Sequence, residues 1–322
     1  MADALRRPAA IKAVPVRHPG RWVAAVVVLA IAAEVLYTFI TAPNLQWSVV
    51  GHYLSHRLIL QGIVTTLELT VLAMLTGIIL GVVLAVMRLS PNPVVSTVSW
   101  LYIWFFRGTP VLVQIFFWFN LALVLPHIGI GIPFTSIQWQ ANTNTLIPAF
   151  MAALLGLGLN EGAYMAEIVR AGLISVEHGQ TEAAQALGMT RLLVMRRIVL
   201  PQAMRVIIPP TGNETISMLK TSSLAFVASV PELFTRSQQI ASATFEVIEL
   251  AIVASIWYLA MTSILTIGQY YLERRFGRGT QRGLPPTPLQ RFRRMLLTFH
   301  APPPDEAEPV VVPSAIPRRD GR

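Results

Sequence analysis

Charged and polar side chains inside long apolar stretches are the residues of this sequence best suited to chemistry. Asn213, Ser217 and Lys220 are spaced so that they share one face of a helix, with Lys220 near the middle of its apolar stretch. A charge in lipid is costly, so such side chains usually pair with one another or line a path for a polar solute. The candidate pathway residues are Lys220, Ser217, Asn213, Asn160, Glu161 and Glu68.

Lys220 allows two interpretations. Its ammonium could bind the carboxylate of a solute while an acidic residue binds the ammonium of the same solute. It could instead form an internal ion pair with Glu161 or Glu68 that only fixes the packing of helices. The acidic residues, with Glu214 at a comparable depth, outnumber the single lysine, which weakly favours a solute of positive charge. From these residues alone, both interpretations stay open.

The sequence offers no recognisable set of catalytic or metal-binding residues. The sequence has no glycine-rich loop that ends in Lys-Ser or Lys-Thr, so any energy from ATP must come from another chain. It has no cysteine, which excludes thiolate metal sites. His52 and His56 have the spacing of a helical metal pair, but no third ligand is evident. We therefore predict neither an enzyme nor a metal site, and no cofactor bound by this chain.

The composition requires lipid as the solvent. Of the 322 residues, 54% are hydrophobic and 13% are charged, and the mean hydropathy is +0.58. We predict an all-α, polytopic membrane helical bundle with six transmembrane helices. The third apolar run is interrupted at 107–110, where Thr109 can cap and Pro110 can open a helix, so its span is placed after the interruption. The predicted spans are 22–40, 60–87, 110–125, 146–169, 206–230 and 247–272.

The distribution of basic residues sets the orientation. Segments on one side of these spans hold 22 Lys and Arg residues, whereas the opposite loops hold only Arg57 and Arg236. This bias predicts that both termini are cytoplasmic. The first span contains Glu34 and lacks a good cleavage site, so we expect a retained helix rather than a signal peptide.

The longest cytoplasmic loop, 172–204, has the pattern of a helix–turn–helix. Thr181 can cap a short alanine-rich helix, and Gly188 can supply the left-handed turn that ends it. Thr190 can cap a second helix, which Pro201 closes or kinks. Such a hairpin could either dock into a partner or merely connect two spans.

The spacing within this loop resembles the EAA motif of ABC-importer permeases. Glu182-Ala183-Ala184 is followed at the family spacing by Gly188, and then by further matching positions. The resemblance implies that the loop is a coupling helix, which docks into the groove of a separate ATPase subunit. The implied coupling residues are Glu182, Ala183, Ala184, Gly188, Ile198, Leu200 and Pro201.

Further segments resemble the histidine/glutamate/glutamine-type branch, whose members move polar amino acids. These segments are TTLEL at 65–69, FRGTP at 106–110, NEGAYMAEIVR at 160–170, LPQA at 200–203 and LKTSSL at 219–224. The resemblance covers roughly 58–275 and implies a five-helix core, to which the first span adds one helix. The remaining predicted parts are a basic arm at 1–21, the added helix at 22–42, and a tail at 276–322 that is partly amphipathic and then disordered.

The resemblance implies a permease subunit in the bacterial cytoplasmic membrane, which forms the path for a polar amino acid. Its implied partners are an ABC ATPase dimer that carries ATP and Mg, an extracytoplasmic solute-binding protein, and a second permease chain, identical or paralogous. A secondary transporter driven without ATP is the alternative, although it would not need the EAA spacing and usually has repeated halves.

Overall fold

The structure is a computed structural model that describes residues 19–131 and 138–276. Helix α1 (Pro19–Ile40) belongs to one compact unit, and all the other described elements belong to another. The side chains of α1 from Trp22 onward are exposed and almost all apolar, as expected for a helix in lipid. Most of the predicted basic arm and almost all of the predicted tail lie outside the described residues.

The second unit is mostly helical. Its helices are α2 (Trp47–Leu54), α3 (Arg57–Arg88), α4 (Pro93–Gly108), α5 (Val111–Phe119), α6 (Thr143–Leu146), α7 (Ala149–Ile174), α8 (His178–Ala186), α9 (Arg191–Val194), α10 (Leu200–Thr221), α11 (Leu233–Thr244) and α12 (Val247–Phe276). A π-helical turn covers Met195–Val199, and 3-10 turns cover Leu121–Leu123 and Ser222–Ala228. The strands β1 (His127–Gly131) and β2 (Gln138–Asn142) form an antiparallel hairpin that pairs His127 with Asn142.

Three helices among the described residues are long and apolar enough to cross a membrane: α1, α3 and α12. The bent pair of α4 and α5 adds a fourth span if the two are counted as one. Helix α7 occupies the fourth predicted span, and α10 with the following 3-10 turn occupies the fifth. The chain is therefore a multi-pass helical membrane protein.

The prediction for the third span is wrong in its bounds. The apolar run begins earlier, in α4, whose first turn is capped by the Asn92 side chain. Helix α5 has only nine residues and meets α4 at 98°, so it is too short to cross a membrane alone. Thr109 is the C-cap residue of α4, and its hydroxyl donates to the Phe105 carbonyl. Pro110 is the N-cap residue of α5, and its carbonyl accepts from the amides of Val113 and Gln114. The expected cap at Thr109 is therefore wrong by one position. Arg107 therefore lies on the last turn of α4 and not in a loop.

Helices α3 and α7 pack side by side in parallel, because their contacts advance together along both chains. Gly77 of α3 lies against Glu161 of α7, and Gly81 lies against Met165 one turn further on. On α7, Gly158 and Gly162 face α3 in the same way. Two glycines four residues apart on each helix let the backbones approach closely, which is a common contact in membranes.

A buried carboxylate fixes the end of the bundle away from α8 and α9. The Glu232 side chain has no exposed surface and accepts hydrogen bonds from two backbone amides in the first turn of α11, at 2.9 and 2.6 Å. It also accepts from the hydroxyls of Thr235 (2.8 Å) and Tyr258 (2.9 Å). Burial raises the pKa of Glu232, and these hydrogen bonds oppose that effect. The carboxylate joins α11 to α12, and the neighbouring Leu233 amide joins α11 to α3 by donating to Thr66.

Candidate functional site

The segment with the EAA spacing folds as a hairpin of α8 and α9. Gly188 has φ +81° and ends α8, as the sequence predicts. Its neighbour Met189 donates its amide hydrogen to the Ala184 carbonyl at 3.1 Å, the long hydrogen bond of a Schellman motif. The Thr190 hydroxyl accepts from an amide of α9 and caps that helix, also as predicted. The predicted cap at Thr181 is wrong, because α8 already begins at His178.

The two faces of the hairpin differ sharply. Ala184 is buried against Val194 and Val199 of the returning arm, which holds the two arms together. Glu182 and Ala183 point outward and are exposed. At the tip, Leu187 is 84% exposed and Leu192 is 78% exposed. Exposed apolar side chains beside a free carboxylate give a surface suited to a protein partner.

The second half of the motif lies at a helix irregularity. Ile198 is half-buried within a π-helical turn, and Leu200 is exposed directly after it. Pro201 stands in the first turn of α10 and neither closes the helix nor ends it. A proline has no N–H to donate four residues back, so a local change in the hydrogen-bond ladder is expected here. The helix is continuous from Arg191 to Thr221, so one helical path leads from the hairpin to Lys220.

The polar stripe of α10 lies on an exposed face of this chain. Asn213, Ser217 and Lys220 are all exposed, and the Asn213 side chain accepts a hydrogen bond of 2.9 Å from Gln269 of α12. Lys220 forms no ion pair with Glu161 or Glu68, because the single ion pair among the described residues joins Arg170 and Glu167, at 2.7 Å. The internal ion pair considered for Lys220 is thus not formed within this chain.

The acidic candidates have different surroundings. Glu161 is 4% exposed, and its Oε1 atom has no hydrogen-bond partner among the described residues. Its carboxylate interacts electrostatically with that of Glu214 on α10. Glu68 is exposed on α3, and no hydrogen bond joins it to the other candidates in the described part of the chain. The Asn160 amide is half-buried and donates to the Phe106 carbonyl at 2.7 Å.

Arg107 is a basic residue of the bundle that the predicted spans place in a loop. Its guanidinium lies over the ring of Tyr164, at 5.0 Å from the ring centroid. Tyr164 is one helical turn from Glu161 and Asn160 on α7, so Arg107 lies beside the candidate pathway residues. The interruption of the apolar run at 107–110 was the signal that could have revealed this position.

Comparisons with known proteins place the chain among transport proteins. Residues 77–278 match the family described as binding-protein-dependent transport system inner membrane component. The arginine transport system permease protein ArgU of Corynebacterium glutamicum is 48% identical over 86% of this chain and 87% of its own length. The nopaline transport system permease protein NocM of Agrobacterium fabrum is 37% identical over 65% of this chain and 83% of its own.

Solved structures of ABC transporters contain chains with a fold similar to that of this chain. A crystal structure of an amino acid ABC transporter with histidines contains a chain that is 36% identical, with a TM-score of 0.59. The alignment covers 68% of this chain and 94% of that one. A chain of the MetNI methionine ABC transporter in an inward-facing conformation has a TM-score of 0.54 at 16% identity, over 68% of this chain and 96% of that one, which shows the fold alone.

Proposed function

The chain belongs to the binding-protein-dependent transport system inner membrane components, and on that premise we propose how it works as the permease subunit of an ABC importer. This membership, together with the named relatives, supports an importer permease and not the alternative of a secondary transporter. The family is a component of transport systems rather than an enzyme family. The observation that carries the proposal is the exposed hairpin with the EAA spacing, whose helix continues into the bundle.

The hairpin is the coupling element for a separate ATPase. Glu182, Ala183 and the apolar tip enter a groove of that subunit, while Ala184, Gly188 and Ile198 keep the hairpin in shape. Leu200 and Pro201 connect it to α10. Because the helix is continuous, a displacement of the hairpin is passed to the polar stripe of α10. ATP and Mg are bound by the partner subunit, and this chain binds no cofactor.

A second permease chain, identical or paralogous, covers the polar stripe. An exposed stripe with an ammonium group would be costly against lipid, whereas a water-filled path between two permease chains accommodates it. Lys220, Ser217 and Asn213 line this path from α10. Asn160 and Glu161 contribute from α7, and Glu68 contributes from α3.

Six segments cross the bacterial cytoplasmic membrane, with both termini in the cytoplasm. They are α1, α3, the bent pair of α4 and α5, α7, α10 and α12. The basic bias of 22 against two residues supports this orientation. An extracytoplasmic solute-binding protein delivers the substrate at the opposite face. ATP binding and hydrolysis in the partner then shift the pair of permeases between outward-open and inward-open conformations, which differ in their affinity for the nucleotide-loaded ATPase.

The substrate is a polar amino acid, and L-arginine is the first candidate. The relative ArgU is named for arginine transport and shares 48% of aligned residues with this chain. The carboxyl groups of Glu161 and Glu214 interact with each other inside the bundle, and a cationic side chain between them would relieve their mutual repulsion.

The test is uptake by proteoliposomes that hold this chain, its ATPase and its binding protein. Radiolabelled amino acids are offered one at a time, with ATP or a non-hydrolysable analogue supplied at the ATPase side. We expect accumulation of a polar amino acid only with ATP and only when the ATPase subunit is present. Uptake that is equal without the ATPase would contradict the proposal.

A further inference from the structure

Helix α10 contains two adjacent prolines in its interior, Pro209 and Pro210. A proline has no N–H group, so the two carbonyls four residues earlier lose their helical donors. The hydroxyl of Thr211 donates to the Ile207 carbonyl at 2.8 Å, and a hydroxyl that bonds back to the preceding turn often bends a helix. The helix is continuous through this point, but its ladder of hydrogen bonds lacks two members there.

The two halves of α10, before and after these prolines, pack against different neighbours. In the first half, Ile207 lies against Gly172 of α7, where no room remains for a Cβ atom on the glycine. In the second half, Leu219 is fully buried in a hydrophobic cluster with residues of α3, α11 and α12. The first half continues from the hairpin, whereas the second half carries the polar stripe. A change of angle at the prolines would therefore move the stripe relative to the hairpin.

The side chain of Gln269 on α12 joins this part of α10 from outside the helix. Its amide nitrogen donates to the Asn213 Oδ1 atom at 2.9 Å and to the Pro209 carbonyl at 3.4 Å. It also donates to Glu273, one turn further along α12, at 2.8 Å. The contact is close, because a Cβ atom on Gly212 would lie 3.0 Å from the Gln269 Cγ atom. One side chain thus bonds both to the first proline and to the pathway residue one turn beyond it.

We propose that the segment 209–212 is a hinge of α10 and that Gln269 is a positioning residue, which holds the hinge at one angle and orients Asn213. The proposal rests on the proposed function, since the hinge acts between the hairpin that binds the ATPase and the stripe that lines the path. Prolines are tolerated at such bends in membrane helices because neighbouring groups can satisfy the freed backbone. The displacement that α10 passes on from the hairpin becomes a rotation of the stripe at this point.

The first experiment measures the angle of α10 directly. The sequence has no cysteine, so Met204→Cys and Phe226→Cys place one spin label on each side of the prolines, at positions exposed in this chain. The distance between the labels is measured by pulsed EPR in the permease–ATPase complex, without nucleotide and after trapping with ATP and vanadate. Labelled chain is diluted with unlabelled chain, so that one permease of a pair carries both labels. We expect the distance to change on trapping, and an unchanged distance would overturn the hinge.

Replacing both prolines separates a hinge from a merely structural element. The double variant Pro209→Ala/Pro210→Ala restores two N–H donors, so its unfolding temperature in detergent should rise. In proteoliposomes it should nevertheless take up about fivefold fewer substrate molecules per ATP hydrolysed. Gln269→Leu should lower the same ratio. Thr266→Val, one turn earlier on α12, is the matched control: the Thr266 hydroxyl donates to the Thr262 carbonyl within α12, and its loss should leave the ratio unchanged.

The outcomes distinguish the hinge from the function on which it rests. An unchanged uptake per ATP in the double proline variant would overturn the hinge, even if the variant unfolds at a higher temperature. An unchanged ratio in Gln269→Leu, or an equal loss in Thr266→Val, would overturn the positioning role of Gln269. Absence of ATP-driven uptake in the wild type would instead contradict the proposed function itself.

Discussion

Gly77 of α3 lies directly against Glu161 of α7, so that a Cβ atom on Gly77 would come within 2.4 Å of the glutamate Cγ and 2.7 Å of its Cβ. The next glycine, Gly81, has the same relationship with Met165. A candidate pathway residue is therefore held by a close helix–helix contact of the bundle. A change that pushes α3 and α7 apart would therefore also move Glu161.

Gly81→Ala should destabilise the bundle. The added methyl would lie 2.4 Å from the Met165 Cβ and 2.9 Å from two backbone atoms, so the two helices must move apart. Overpacking of this kind costs about 1–3 kcal/mol. The measurement is the unfolding temperature of the purified chain in detergent. Gly268→Ala in α12 is the matched control, because nothing lies within 4 Å of its added methyl, and it should be neutral or stabilising.

Glu232→Ala should loosen the end of the bundle where α3, α11 and α12 meet. It leaves two amides and two hydroxyls without their acceptor in a buried site, at a cost of about 2–4 kcal/mol. Tyr258→Phe removes only one of these hydrogen bonds and should cost about 1 kcal/mol. Both are measured by thermal unfolding in detergent. Equal unfolding temperatures for Glu232→Ala and the wild type would show that this carboxylate does not stabilise the packing of α11 on α12.

Gly188→Ala should weaken coupling without weakening the bundle. Its φ of +81° is unfavourable for a residue with a side chain, at about 1–2 kcal/mol, while the space around it is open. The hairpin would distort, so we expect weaker copurification of the ATPase and an unchanged unfolding temperature. Gly179→Ala, within α8, also has open space but no positive φ, and it should behave as the wild type. Identical behaviour of the two variants would argue against a required hairpin shape.

Local capping rules predict the turn of the hairpin and the start of α9 correctly, but they place the start of α8 wrongly. Gly188 and Thr190 each have one strong conformational preference, and the structure uses both. Thr181 has the right type for a cap, but the chain is already helical at His178, after Glu177, which caps α8 without a side-chain hydrogen bond. The helix end expected at Pro201 is also absent: the chain adopts a π-helical turn just before this proline and continues as α10.

The sequence could not place the third span, since hydropathy does not show where a helix bends. The run at 107–110 is polar enough to look like a loop, yet contacts of Asn160 with Phe106 and of Tyr164 with Arg107 hold this end of α4 against α7. The network around Glu232 was missed for a similar reason: its partner Tyr258 is 26 residues away, and no local pattern joins them. Contacts between distant segments decide both cases.

The central claim is that the exposed EAA hairpin couples this permease to an ATPase, and Glu182→Lys tests it most directly. Glu177→Lys is the matched control, since Glu177 is also exposed, lies just before α8 and is not part of the motif. ATP-driven uptake is measured in proteoliposomes with equal amounts of each variant in the membrane. We predict that Glu182→Lys lowers uptake by about tenfold or more through charge reversal at the docking surface, while Glu177→Lys stays within about twofold of the wild type. Uptake by Glu182→Lys equal to that of the wild type would contradict the claim.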